Sequence, residues 1–428
     1  MSATHSHPAP PPPRKPFMPR HSRLSSTAAV ALLLHVFSIA SVVHAAAPEQ
    51  PPTATLERWR SYSGVTWEAP ATSRADAAPA PSPHSVGAPI AGIHFDGQGQ
   101  AFVSTPRLVS AQAPATLSRL DTRVTSGPAR LTAFPSISAN AVQAAPQQAL
   151  RNVLGFYVDQ RNGWLWALDM GFVAGEAQAP EGAQKVLVID LASGQTVRRI
   201  ALDGVADRSG SFLNDIVVDE ARRVAYISDS GLRSAPQNQA ALIVVDFASG
   251  QARRVLHRHP ALLPEPGVQV FSHGEEVWPG NPLQLGINGI ALSPDRATLY
   301  WTVTTGRHAY AIPTAVLHDT AATDAQRAAQ IQNLGDVGGN TDGIATDAQG
   351  LLYITDVTRN GIVRYNPHRR SMSLLAADDG IRWPDTATFT PGGDLLFTAS
   401  NLNQHFAGAV QPGQERYELW RLKLSPHR

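Results

Sequence analysis

Four residues of hydrogen-bonding or metal-ligating type recur at one position of a repeated pattern: Asn214, Asn288, Asp342 and Asp385. Each opens an apolar strand, as in Asn214-Asp215-Ile216-Val217-Val218-Asp219 and Asp342-Gly343-Ile344, and each is followed by a turn and a second apolar strand. The corresponding openers of two earlier copies are Ala91 and Leu154. If the copies are arranged in a ring, four consecutive polar openers converge on its axis beside two apolar ones. Amide and carboxylate oxygens collected in this way suit a hard cation such as Ca²⁺. They suit equally the hydroxyl or amine of a small molecule, or ordered water. A structural reading stands beside these, because Asn and Asp before Gly tolerate unusual φ and bond their own backbone at a strand-entry turn.

The elements that would position these residues can be read from the copies themselves. The strand pairs begin near residues 91, 154, 214, 288, 342 and 385, and several end their second strand on Asp: Asp169, Asp229 and Asp356. Those aspartates are expected to cap turns by accepting backbone N–H groups. Third strands follow, with Lys185 to Asp190 and Ala241 to Asp246 nearly duplicates, each running into an Ala-Ser-Gly-Gln turn. Runs of apolar and β-branched residues bounded by Gly, Pro, Asn and Ser are strands and turns. Six such copies predict an all-β fold, a six-bladed β-propeller of four-stranded antiparallel blades around a central channel. A closed ring must hide its edges, so the C-terminal strand Tyr417 to Leu424 is expected to pair with the region Leu56 to Trp67. Thr314 to Leu334 breaks the strand pattern and reads as one or two helical turns.

The 428 residues divide into a signal peptide (1–45), an Ala/Pro-rich leader (46–85) and the propeller (86–428). Arg14, Lys15, Arg20 and Arg23 precede the apolar run Ala28 to Val43, and Ala45 is the small residue expected before cleavage, which implies a secreted or periplasmic protein. The run is interrupted by His35, Ser38 and Ser41 and is shorter than the ~20 residues of a bilayer span, so no membrane span is expected after cleavage. There is no cysteine, which excludes disulfides, thiolate metal sites and a cysteine nucleophile. The formal net charge of +1, without a basic run interleaved with aromatics, argues against nucleic acid as partner. Nucleophile-elbow, phosphate-loop and zinc-helix motifs are absent. His257, His259 and His273 gather with Glu275 and Glu276 around a long Pro/Gly-rich loop, Pro260 to Leu285, and read as solvated loop residues.

With these residues laid out, the chain resembles the yellow and major royal jelly protein family. Leu213 to Gly231 is similar to that family's third repeat, and Gly289 to Asp295 with Ile312-Pro313 to its fourth. Asp342 to Asp356, and Trp383-Pro384-Asp385 with Ser400-Asn401, resemble the fifth and sixth. The resemblance implies a secreted six-bladed propeller whose channel binds a small polar or aromatic metabolite and, in the manner of dopachrome-converting members, isomerises it. A more distant resemblance is to gluconolactonase and senescence-marker propellers, where a divalent metal is held by Glu, Asn and Asp. Asn288 and Asp342 match the last two ligands, Asn214-Asp215 resembles a substrate-contacting pair, and the Glu position is Ala91. A metal-dependent lactonase and a non-enzymatic interaction scaffold are therefore the alternatives. The expected ligand-binding set is Asn214, Asp215, Asn288, Asp342 and Asp385, with Asn288 and Asp342 as metal candidates and no cofactor otherwise implied.

Overall fold

The innermost strands of the six repeats stand side by side around one axis: Ile93–Phe95, Val153–Asp159, Leu213–Asp219, Ile287–Leu292, Thr341–Thr346 and Pro384–Phe389. In the computed structural model, which describes residues 54–67 and 80–424, each begins an antiparallel sheet of four strands built outward from the axis. Six blades make a β-propeller, as the repeats predict. The expected signal peptide lies outside the described residues, as does residue 46–53 and 68–79 of the expected leader.

Sequence dictates the radial order. All six residues of Ile287–Leu292 are buried, whereas none of the outer strand Gln332–Asp336 is. Inner strands are covered on both faces by neighbouring blades, so they read as near-continuous apolar runs, and alternation returns only toward the rim. Two short helices, Thr314–His318 and Asp324–Ala328, occupy the segment where the strand pattern fails.

The ring is closed by strands from both ends of the described chain. Ala54–Tyr62 pairs with Tyr417–Leu424 as the outer strand of blade 6. The expected partner region divides here, because Val65–Trp67 pairs in parallel with Ala129–Ala133 as a fifth strand of blade 1. The turn between them needs Gly64: its φ is +124°, and a Cβ there would lie 2.4 Å from Ser85 Oγ. One short segment thus straps the last blade to the first.

The second-strand aspartates cap the loops above the blades. Asp169 accepts from the backbone N–H groups of Arg151, Asn152 and Gly171 and pairs with the fully buried Lys185 at 2.7 Å. Asp229 accepts from Phe212 and Gly231 N–H and from Arg254, and Asp356 accepts from Arg359. Each anion holds inter-strand loops that would otherwise carry unpaired donors.

Close contact between inner strands sets the width of the axis. A Cβ on Gly155 would lie 2.5 Å from the carbonyl oxygen of Asn214, one on Gly289 2.3 Å from that of Asp342, and one on Gly343 2.5 Å from that of Asp385. None of these glycines has a positive φ, so they serve backbone approach rather than a turn. The openers lie within strands, and the strand-entry turn that would explain Asn or Asp before Gly is not what the chain forms. Gly289→Ala should therefore lower stability by about 1–3 kcal/mol, the usual cost of overpacking. Gly392→Ala, whose Cβ would meet nothing closer than 3.7 Å, should be silent. Denaturant midpoints of the two variants check this.

Candidate functional site

The openers owe their direction to a recurrent bulge. In blade 2 Val153 faces Asp169 and Phe156 faces Ala167, so three residues of the inner strand span two of its partner. The same slip brackets Asn288, Asp342 and Asp385, and a one-residue slip brackets Asn214. Bulges re-aim side chains and interrupt a ladder locally. Here they coincide with the openers, and Leu154, Asn214, Asn288, Asp342 and Asp385 line one cavity at one end of the axis.

The four polar openers are joined edge to edge. Asn214 Nδ2 donates to Asn288 Oδ1, and Asn288 Nδ2 donates both to Thr304 Oγ1 at 2.7 Å and to Asp342 Oδ1. Trp383 Nε1 donates to Asp342 Oδ2 at 2.7 Å, and the carboxyl of Asp385 hydrogen-bonds Asp342. All four openers are buried. Burial raises the pKa of Asp342, while the Trp383 and Asn288 hydrogen bonds oppose the rise. Burial, the Asp342 charge and the Asp215 charge together push Asp385 well above the usual carboxylate range. Two carboxyl groups in contact cannot both ionise cheaply, so the pair keeps a proton well above the pH at which an ordinary carboxyl loses it, with Asp342 pushed up to about 7 and Asp385 well above its usual value.

The walls above this floor are apolar: Leu108, Phe212, Leu232, Leu283, Leu285 and Leu402 enclose about 190 Å³, with Phe406 at the rim. The loop Pro260 to Leu285 shapes the mouth, for Trp278 reaches over it and donates Nε1 to Asn403 O at 3.1 Å on the helix Leu402–Phe406. Trp278 and Trp383 both have φ of +56°, and Asn401 has +53°. Left-handed backbone is uncommon for bulky residues and costs of order 1 kcal/mol or more. Both tryptophans are thus held in unfavourable backbone at the cavity. Neither was assigned a role from sequence, although Trp383 stands directly before the opener motif Pro384-Asp385.

Asp215 does not join this group. As the neighbour of Asn214 on an extended strand it faces the other way, into a separate cavity at the opposite end of the axis with His94, Tyr157 and Thr388. The histidines of the long loop lie elsewhere: His259 Nδ1 accepts from Ala261 N, and His273 contacts the Asp379 carbonyl.

The donor set is a poor match for a divalent cation. Both Asp342 oxygens and the Asn288 oxygen already accept hydrogen bonds from neighbours, and the opener of blade 1, Ala91, is buried and brings no ligand atom. Among the described residues no three or more His, Asp or Glu side chains cluster as metal ligands would. A hard cation needs several free oxygen ligands, and this floor offers few.

The family model described as Major royal jelly protein matches residues 152–427. Protein yellow of Drosophila melanogaster is 27% identical over 251 residues, which cover 55% of this chain and 43% of that protein, and the Drosophila simulans protein matches equally. The chain thus spans less than half the length of the curated relatives it matches. Among solved structures, a gluconolactonase from Xanthomonas campestris is 17% identical, with 79% of this chain and 88% of that one covered and a TM-score of 0.45. A luciferin-regenerating enzyme is 12% identical over 78% and 91%, with a TM-score of 0.47. Structural likeness of this extent carries no argument for activity.

The shared proton has a thermodynamic signature. The unfolded chain releases it near pH 4, the folded chain only at higher pH, so the pair stabilises the fold most at low pH and loses that contribution as pH rises through the raised values. Asp385→Asn keeps a donor toward Asp342 and removes the titration. Its melting temperature, measured against the parent, should rise progressively in the variant's favour between pH 4 and pH 8, ending on the order of 2 °C or more above it. A constant difference across that range would mean that Asp385 titrates normally.

Proposed function

This chain belongs to the major royal jelly protein family, and we propose that it binds a small aromatic metabolite with a cationic or hydrogen-bond-donating end in the cavity above Asp342. The observation that carries the reading is the pairing of an apolar-walled space of about 190 Å³ with a floor of four linked polar side chains. A dry cavity of ~150 Å³ accommodates a benzene ring, so this one suits a single ring with a short polar tail. The ring lies among Leu108, Phe212, Leu285 and Leu402, and the tail meets the net negative charge of the Asp342–Asp385 pair. Burying that charge opposite a ligand cation recovers what desolvation removes.

The same pair gives the site acid–base chemistry. Asp342, as carboxylate, accepts a proton from a C–H bond of the bound molecule, and Asp385, as carboxylic acid, delivers its proton to another atom of that molecule. One C–H bond breaks, one new bond to hydrogen forms, and the dyad ends with one proton as it began, so the net change is an isomerisation that needs no co-reactant. Carboxyl groups with pKa values raised toward neutrality are matched to such transfers. Trp383 fixes Asp342 and excludes water from it. Hydrolysis of a lactone by metal-activated water is not adopted, since the oxygens it would need are already committed to one another.

Thermal shift with phenethylamine tests the binding. Ligand at ~100 times its dissociation constant adds roughly 2.7 kcal/mol. Phenethylamine should stabilise the parent, and Asp342→Asn should weaken it at least tenfold. Asp385→Asn, which leaves the Asp342 carboxylate in place, should bind phenethylamine as the parent does. No stabilisation by phenethylamine, or equal stabilisation of Asp342→Asn, would remove the reading.

A further inference from the structure

At the residue after each opener the inner strands carry Gly92, Gly155, Asp215, Gly289, Gly343 and Thr386. Four are glycines, at each of which a Cβ would press within 3 Å of a neighbouring atom. Asp215 and Thr386 are the two with reaching side chains, and they come from blades 3 and 6, which face each other across a six-membered ring. The glycine level closes the axis: the cavity over Asp342 and the one containing Asp215 share no lining residue. Asp215 therefore serves a different chamber, of about 390 Å³, open at the other end of the channel.

Two residues further along each strand a second ring lines that chamber. His94, Tyr157 and Thr388 come from three adjacent blades, and Val217, Ala291 and Ala345 from the other three. One half of the ring is polar and the other apolar. Thr388 Oγ1 lies 3.3 Å from His94 Nδ1, and the His94 ring packs edge-on against Phe156. Tyr157 Oη donates to Glu220. Among the described residues the Asp215 carboxylate accepts from the backbone N–H groups of Ile216 and Ile290, at 2.8 and 3.3 Å, and from no cationic side chain. The cation at the chamber, Arg296, is turned toward the Val218 carbonyl and the Tyr157 and Glu220 side chains. Burial, opposed by those two backbone bonds, leaves the pKa of Asp215 pushed up to about 6, so at pH 7.5 the chamber holds a carboxylate without a counter-charge.

We propose that this second chamber is a binding site for a small aliphatic amino alcohol, its ammonium on Asp215, its methylene stem against Val217, Ala291 and Ala345, and its hydroxyl on the Thr388–His94 side. An ammonium supplies the three donors and the positive charge that Asp215 lacks. The apolar half of the ring takes a short alkyl stem, and Thr388 can both donate and accept toward a hydroxyl. The proposal is independent of the reading of the Asp342 cavity.

Calorimetric titration with 4-amino-1-butanol, beside its uncharged analogue 1,4-butanediol, tests it on the full chain at pH 7.5. The amino alcohol should bind one to one and at least tenfold more tightly than the diol. Asp215→Asn, which preserves shape, should lose that preference, and Ala345→Leu, which narrows the chamber from blade 5, should weaken both compounds. Equal affinity for amine and diol, unchanged binding in Asp215→Asn, or no binding by the parent would each overturn the proposal.

Discussion

Backbone-to-backbone contact between neighbouring inner strands is the constraint from which the rest of the structure follows. Gly155, Gly289 and Gly343 each abut the carbonyl of the next blade's opener, and Gly92 approaches that of Leu154. At the two remaining junctions other devices serve: Asp215 accepts from Ile290 N–H across blades 3 and 4, and Thr398 Oγ1 donates to the Ala91 carbonyl across blades 6 and 1. Strands held this close leave no room for an open pore. The axis is divided into two chambers, and the bulge beside each opener turns its side chain into one of them while the next residue looks into the other.

That division explains why one sequence position collects compatible groups and its neighbour collects almost none. Burying four polar side chains unpaired would cost several kcal/mol, so they must satisfy one another. Asn214, Asn288 and Asp342 do so in a line in which each amide donates to the next oxygen, and Thr304 and Trp383 take the remaining positions. Asp385 completes the line by keeping its proton. A floor satisfied in this way is rigid, and its carboxyl pair is what a ligand meets. The left-handed backbone of Trp383 persists because the indole is fixed at both ends, by packing and by Asp342.

Much of this was legible in the sequence. Six strand pairs of one pattern could not bury both faces except against one another, and aspartates closing second strands announced their N–H partners. The convergence of Asn214, Asn288, Asp342 and Asp385 followed from their shared position. Three features were not legible. The glycines after the openers fit a turn as well as a close contact, and only the tertiary distance tells which. Asp215 is paired with Asn214 in the resemblance to a substrate-contacting Asn-Asp, although successive residues of an extended strand point to opposite sides. The strap from Ala54–Tyr62 to Val65–Trp67 was expected as one partner and forms two, because Gly64 turns the chain between blades.

The central claim is that Asp342 and Asp385 share one proton on the floor of the channel. Carboxyl-carbon NMR of the protein labelled at aspartate measures it most directly. The account predicts one carboxyl resonance that stays in the protonated position at neutral pH, disappears in Asp385→Asn, and shifts when Trp383→Phe removes the donor to Asp342. Two resonances that both titrate in the ordinary range near pH 4 would contradict it.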